Sequence, residues 1–171
     1  DVCSSDLQTW AFRQLTVKLV QRRRAMYLKA LHSIKWLANN LTPTEVNKVS
    51  DLLRPCQHEP DDPVIIRGER CHHLYVILEG TIHVHESDIK TWKGNAEAHR
   101  KSYICEFGPG CVIGELEFLF GQAHPDLTKA QAYCYAHSQV KLAKLSQTDL
   151  DESVTALKDL LMMARNSNGE E

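Results

Sequence analysis

The sequence predicts an α+β fold, an antiparallel β-roll, double-stranded and jelly-roll-like, with helices before and after it. Three observations predict it. Residues 8–39 contain neither Pro nor Gly and place apolar side chains at three- and four-residue spacing. After Pro55 the chain turns into short β-rich runs punctuated by Gly and Pro. From Ser146 onward a capped, helically periodic stretch returns. A chain of 171 residues buries one ordinary core, so a single domain with appended helices is expected.

In the lead segment, Trp10, Phe12, Leu15, Leu19, Met26, Leu28, Leu31, Ile34 and Leu37 recur with the period of one or two helices. Asn39-Asn40 interrupts them. Thr42-Pro43-Thr44-Glu45 then supplies an N-cap, a proline at the first helical position and a glutamate at the third, which starts a short helix over about 43–53. Val46, Val49, Leu52 and Leu53 form its inward side. Strands are expected at 64–66, 74–78, 82–85, 102–107, 131–136 and 140–145, with turns at 60–63, Gly68, Gly80, Gly94 and 108–110. Short strands at this spacing close into a barrel or a double layer. Ser146-Gln147-Thr148-Asp149 caps the last helix, which carries Leu150, Val154, Leu157, Leu160, Leu161 and Met162. The organisation expected is a non-native leader at 1–7, a basic helical segment at 8–40, the main domain at 41–165 and a frayed tail at 166–171.

Charge and cysteine content narrow the function. Residues 1–40 carry seven Lys or Arg against two Asp, and the remainder carries 13 against 20, so a basic lead precedes an acidic body. Arg22-Arg23-Arg24 has no interleaved aromatics, which fits a solvated face or a dock for an acidic neighbour and argues against nucleic acid. Six cysteines without a C-x-x-C pair or a secretory signal favour a reducing cytoplasm over a disulfide framework or a zinc module. No run of residues is long and apolar enough to span a membrane. His83 and His85 alternate onto one strand face, with His72-His73 in the loop before them. Lacking a third ligand at a persuasive spacing, they are expected to be solvated or core-edge histidines, with no metal. A cupin-like metalloenzyme would need more of its signature than His83-Val84-His85. Nucleophile-elbow, Walker and Ser/His/Asp patterns are absent, so no catalysis is expected.

Three strings carry a resemblance. Val64-Ile65-Ile66-Arg67-Gly68-Glu69 and the apolar run Leu74 to Leu78 ending at Gly80 form the first, and Phe107-Gly108-Pro109-Gly110-Cys111-Val112-Ile113-Gly114-Glu115-Leu116 the second. The Leu41-Thr42-Pro43-Thr44-Glu45 helix start is the third. In this order, over roughly residues 36–160, they resemble the cyclic nucleotide-binding domain family of protein kinase regulatory subunits and cyclic nucleotide-gated channels. The resemblance implies a phosphate-binding cassette with a short helix, and a C-terminal lid helix offering Leu157, Leu160, Leu161 or Met163 to the ligand. At the cassette, Gly114 lets the backbone approach a ligand, the helix opening at Glu115 presents N–H groups to an anion, and Glu115 accepts from a ribose hydroxyl. Leu116 follows in the family's order.

The sequence departs from the family after Leu116. A small residue is replaced by Glu117, and the Pro-Arg that holds the cyclic phosphate corresponds to Pro125-Asp126, with Thr128 and Lys129 close by. Losing a charge-assisted hydrogen bond costs roughly 1.5–3 kcal/mol, which lowers cAMP or cGMP affinity at least about ten- to a hundredfold. Three readings follow. Lys129 replaces the arginine and rescues weak cyclic nucleotide binding. Alternatively, Glu115 and Glu117 grip the ribose of an uncharged nucleoside, as the similarity of Gly114-Glu115-Leu116-Glu117 to kinetoplastid kinase regulatory subunits implies. The third is a ligand-free module that couples or assembles a channel or exchanger. The first expectation is thus a regulatory domain that binds a purine cyclic nucleotide or nucleoside and needs no cofactor. Its partner is an effector domain in the same longer chain or another subunit, in the cytoplasm or on the cytosolic part of a membrane protein.

Overall fold

The computed structural model describes residues 2–120 and 129–149. Helix α1 (Val2–Ser33) and α2 (Lys35–Asn40) are the periodic lead segment, separated at Ile34, whose extended backbone (φ −83°, ψ 97°) breaks the helix. Among the described side chains of α1, the buried ones lie near its end. Tyr27 and Leu31 are buried with Ile34 and Leu37, whereas Trp10, Phe12, Leu15 and Leu19 face outward. Helix α3 (Pro43–Leu52) begins at the expected capping box: the Glu45 N–H donates to Thr42 Oγ1 at 3.4 Å, and the Thr42 N–H donates to Glu45 Oε2 at 2.8 Å. Hydrogen bonds from the Thr42 hydroxyl and then its backbone N–H hold the Glu45 carboxyl below its ordinary range. Arg24, from the basic run, reaches Asp51 on α3 at 3.3 Å, an exposed pair that orients α1 more than it stabilises it.

Eight strands follow: β1 (Arg54–His58), β2 (Pro63–Ile65), β3 (His73–Glu79), β4 (Ile82–His85), β5 (Tyr103–Phe107), β6 (Val112–Ile113), β7 (Tyr133–Ala136) and β8 (Val140–Ser146). They form two antiparallel four-stranded sheets, β1-β8-β3-β6 and β2-β7-β4-β5, with registers such as Val76 opposite Ala143 and Ile82 opposite Ala136. The roll is the one the alternating runs imply. Two features differ from the sequence expectation. Strand β1 contains Pro55, which reads as a breaker but is tolerated at a sheet edge. Between β4 and β5, where Gly94 suggests a plain turn, stand two short helices, α4 (Ile89–Trp92) and α5 (Ala96–Ser102). Each has its own cap: Asp88 Oδ1 accepts from the Lys90 N–H, and Asn95 Oδ1 accepts from those of Glu97 and Ala98.

The first sheet is covered on both faces. Along β3 and β8, Leu74, Val76, Ala143 and Leu145 pack against α1, α2 and α3, while Ile77, Val140 and Leu142 pack inside the roll with Ile65, Ile82, Val84, Ile113 and Ala136. Period-2 alternation and apolar residues at both phases divide one strand pair between two cores. The hairpin joining β3 to β4 requires Gly80, at φ +85°, because a Cβ there would lie 2.5 Å from the Gln139 carbonyl oxygen.

Helix α6 (Glu115–Phe120) sends Phe118, 2% exposed, into the helical-side core beside Leu74 and Val76. Phe118→Ala is expected to cost about 3–5 kcal/mol. Urea denaturation checks this, and a loss under about 1 kcal/mol would mean that the ring is not part of the core.

Candidate functional site

The site is built where β6 hands over to α6. Gly114 is at φ +78°, and a Cβ there would meet the His73 carbonyl oxygen at 2.8 Å, Cys71 Sγ at 3.0 Å and Ile65 Cδ1 at 3.3 Å. Only glycine fits both the left-handed backbone and that gap. The turn then closes as a helix, the Phe118 N–H donating to the Gly114 carbonyl at 3.1 Å. The Gly114, Glu115, Leu116 and Glu117 sequence therefore turns from β6 into α6 on a corner that needs glycine.

The three groups that would crowd Gly114 also line a cavity of about 270 Å³ formed by Pro63, Val64, Ile65, Ile66, the turn from Glu69 to His73, and Tyr75. Cys71 Sγ donates to the His73 carbonyl at 3.2 Å, and burial pushes its thiol up. Burial also drives Tyr75 up to about 12, and Cys134 up to about 12 with Glu117 as the next contributor. The Glu117 carboxylate lies close enough to the Cys71 and Cys134 thiols to help raise both. It accepts from the Gln131 N–H at 3.4 Å, tying α6 to the approach of β7.

The β2–β3 turn clamps the far end of the cassette. The Gly68 N–H donates to the Ala130 carbonyl at 2.8 Å, the Ala130 N–H donates to the Glu69 carbonyl at 2.9 Å, and Arg70 bridges Lys129 through the backbone. Of the residues expected at the site, Gly114 adjoins three of the cavity's lining residues, and Glu115 and Glu117 follow on the first turn of α6, but none of the three is itself among the residues lining the cavity. The side chain of Leu116, and Asp126 and Thr128, lie outside what the structure describes, as do the lid positions Leu157, Leu160, Leu161 and Met163. Lys129 is exposed and is not among the residues lining the cavity. Arg70 is, and sequence reading passed over it because an arginine after Gly68-Glu69 reads as ordinary turn polarity.

Contacts lead away from this corner to the lead helices. Phe118 shares a core with Leu31, Leu37 and Val46. Ser33 Oγ, at the end of α1, lies 3.3 Å from the Gly110 carbonyl. On the other side the Gln147 N–H donates to the His72 carbonyl at 3.1 Å, and Gln147 Nε2 donates to the Phe118 carbonyl at 3.2 Å. The stretch where β8 ends is thereby coupled to both the cavity wall and α6.

A family model described as cyclic nucleotide-binding domain matches residues 55–154. The cAMP-dependent protein kinase regulatory subunit of Hypocrea atroviridis is 27% identical over 154 residues, covering 90% of this chain and 29% of that protein. Among solved structures, the regulatory subunit of a cAMP-independent protein kinase A from Trypanosoma brucei is 30% identical, with a TM-score of 0.61 over 86% of this chain and 46% of that one. A triple variant of that subunit bound to cAMP superposes with a TM-score of 0.62 at 26% identity, over 93% of this chain and 52% of that one. The Trypanosoma cruzi counterpart bound to guanosine is 29% identical, with a TM-score of 0.59 over 85% of this chain and 47% of that one. The chain thus spans under a third of the length of the curated relative.

Gly114→Ala is expected to destabilise the domain by about 2 kcal/mol or more, through the positive φ and the clash with the His73 carbonyl. Thermal unfolding measures it, and an unchanged Tm would contradict the corner geometry.

Proposed function

Because the chain belongs to the cyclic nucleotide-binding domain family, we propose that it is a regulatory module that senses a purine nucleoside or cyclic nucleotide at Gly114–Glu117 and passes occupancy to the helices before the roll. The observation that carries the ligand class is Glu117. A carboxylate at the place of a small residue, beside protonated thiols, repels a cyclic phosphate and offers two acceptors to ribose hydroxyls together with Glu115. The cavity of about 270 Å³ beside Gly114, just under the roughly 300–1,000 Å³ of small-molecule sites, leaves room next to the corner for a small ligand. The guanosine complex of the T. cruzi relative supports the same class.

The T. brucei variant bound to cAMP supports a register for the loop. In it a glutamate becomes alanine and, seven positions later, a threonine becomes arginine. The same step from Glu117 reaches His124, two residues before Asp126. Counted this way, His124 joins Asp126 as a candidate for the position that meets a phosphate.

Transmission follows the packing. A ligand that draws in α6 moves Phe118 and, through it, the cluster of Leu31, Leu37 and Val46, while Ser33 on Gly110 links the cassette loop to the end of α1. The equilibrium shifts only by the ligand's differential affinity for the two arrangements. The effector is a kinase catalytic subunit or an attached domain, and the reducing cytoplasm is the compartment that suits Cys56, Cys71, Cys105, Cys111 and Cys134 as free thiols.

Calorimetry with guanosine, inosine, adenosine, cAMP and cGMP is expected to give tighter binding of a nucleoside than of either cyclic nucleotide. Glu115→Ala is expected to abolish that binding, and an undiminished affinity would remove Glu115 from the site. Glu117→Ala combined with His124→Arg is expected to raise cAMP affinity at least about tenfold. A gain seen instead with Glu117→Ala and Asp126→Arg would assign the phosphate position to Asp126.

A further inference from the structure

The outer face of the second sheet, away from the cassette, holds a cluster of histidines that the sensing function does not use. His83 and His85 alternate along β4 onto this face, opposite the core residues Ile82 and Val84. Helices α4 and α5 fold over them: Trp92 stacks on His85 at 4.2 Å between ring centroids, and His99 comes within 5.0 Å of His85. The insertion is held down by the Trp92 indole N–H donating to the Ser87 carbonyl at 3.1 Å, and by the Ile89 N–H donating to the Tyr135 hydroxyl at 3.0 Å. A sequence scan misses the cluster because His99 is brought to His83 and His85 by an insertion with its own caps.

Two independent features mark this as a ligand site. One ring nitrogen from each of His83, His85 and His99 lies within 4.8 Å of the others. His85 is completely buried, and neither of its ring nitrogens has a hydrogen-bond partner among the described residues. A buried imidazole that satisfies neither nitrogen calls for something to supply the missing partner. Glu106, across from His83 on β5, brings a carboxylate to 3.4 Å from His83 Nε2. Negative charge beside converging imidazoles favours a cation over an anion or a neutral guest.

We infer that His83, His85 and His99 form a three-histidine site for a divalent ion of the Zn²⁺ class. Imidazole donors suit Zn²⁺ and its neighbours Co²⁺, Ni²⁺ and Cu²⁺, whereas Mg²⁺ and Ca²⁺ require oxygen. Tetrahedral bonds of about 2.0–2.1 Å put the donor nitrogens about 3.4 Å apart. The three histidines reach that spacing by closing about 1.5 Å or less, within what ring rotation and a small shift of α5 provide. The fourth position is left to water. Bound there, the ion pins α5 to β4 and holds the insertion shut over the sheet, and binding to the folded state alone raises its stability.

The test uses the whole chain, stripped of metal with a chelator and titrated with ZnCl₂ by calorimetry, with Co²⁺ absorption in parallel. Uptake of one equivalent, a raised Tm, and Co²⁺ d–d bands without thiolate charge transfer are expected. His99→Ala and, separately, His83→Ala are expected to weaken Zn²⁺ at least about tenfold, while His58→Ala leaves it unchanged. Imidazole ¹H–¹⁵N spectra of the unsubstituted chain identify the ligands even if a variant fails to fold. Absence of stoichiometric uptake, or ion-induced shifts confined to histidines other than His83, His85 and His99, overturns the inference and leaves the cluster as aromatic packing.

Discussion

Strands β3 and β8 carry apolar side chains on both faces, so one strand pair serves two cores at once, and the position of everything functional descends from that arrangement. The helices are held to the roll because Leu74, Val76, Ala143 and Leu145 need cover on the outside. The roll closes because Ile77, Val140 and Leu142 need cover on the inside. Helix α6 straddles the division: its corner glycine touches Ile65 of the inner core, and its Phe118 enters the outer one. A displacement at the cassette therefore cannot stay local, since close-packed interiors pass on small shifts rather than absorb them.

Much of this was legible in the sequence, for reasons that differ by element. The capping box at Thr42 and Glu45 is a local device whose signal and structure are the same hydrogen bonds. The roll was legible because alternation and turn residues act within a few positions. The corner at Gly114 was legible by resemblance, and its physical reason became visible only when His73, Cys71 and Ile65 came to surround it from distant parts of the chain. What the sequence concealed is non-local. Pro55 reads as a breaker unless its strand is known to be an edge. The insertion of α4 and α5 has weak periodicity and declares itself mainly through Asp88 and Asn95 as caps. Arg70 gains meaning from the cavity it lines, and His99 from the two histidines it approaches.

The two clusters of polar groups sit on different elements, one at the handover from β6 to α6 and the other on β4 and α5. At the cassette, on the proposed reading, the Glu117 carboxylate disfavours a charged ligand. On the outer face, imidazoles and Glu106 converge where a cation would be welcomed. The inner core of the roll is apolar throughout its buried members.

The residues that fix the cassette in space are not those that would touch its guest. Gly114 and Phe118 anchor the corner through backbone conformation and core packing, whereas Glu115 and Glu117 lie on the first turn of α6, Glu117 holding the Gln131 N–H. On the proposed reading, changes at Glu115 and Glu117 alter what the cassette accepts, Glu117 also giving up its hold on the Gln131 N–H, while the glycine and the buried ring that fix the corner stay in place. A socket of this kind is evolvable in its chemistry and conservative in its architecture.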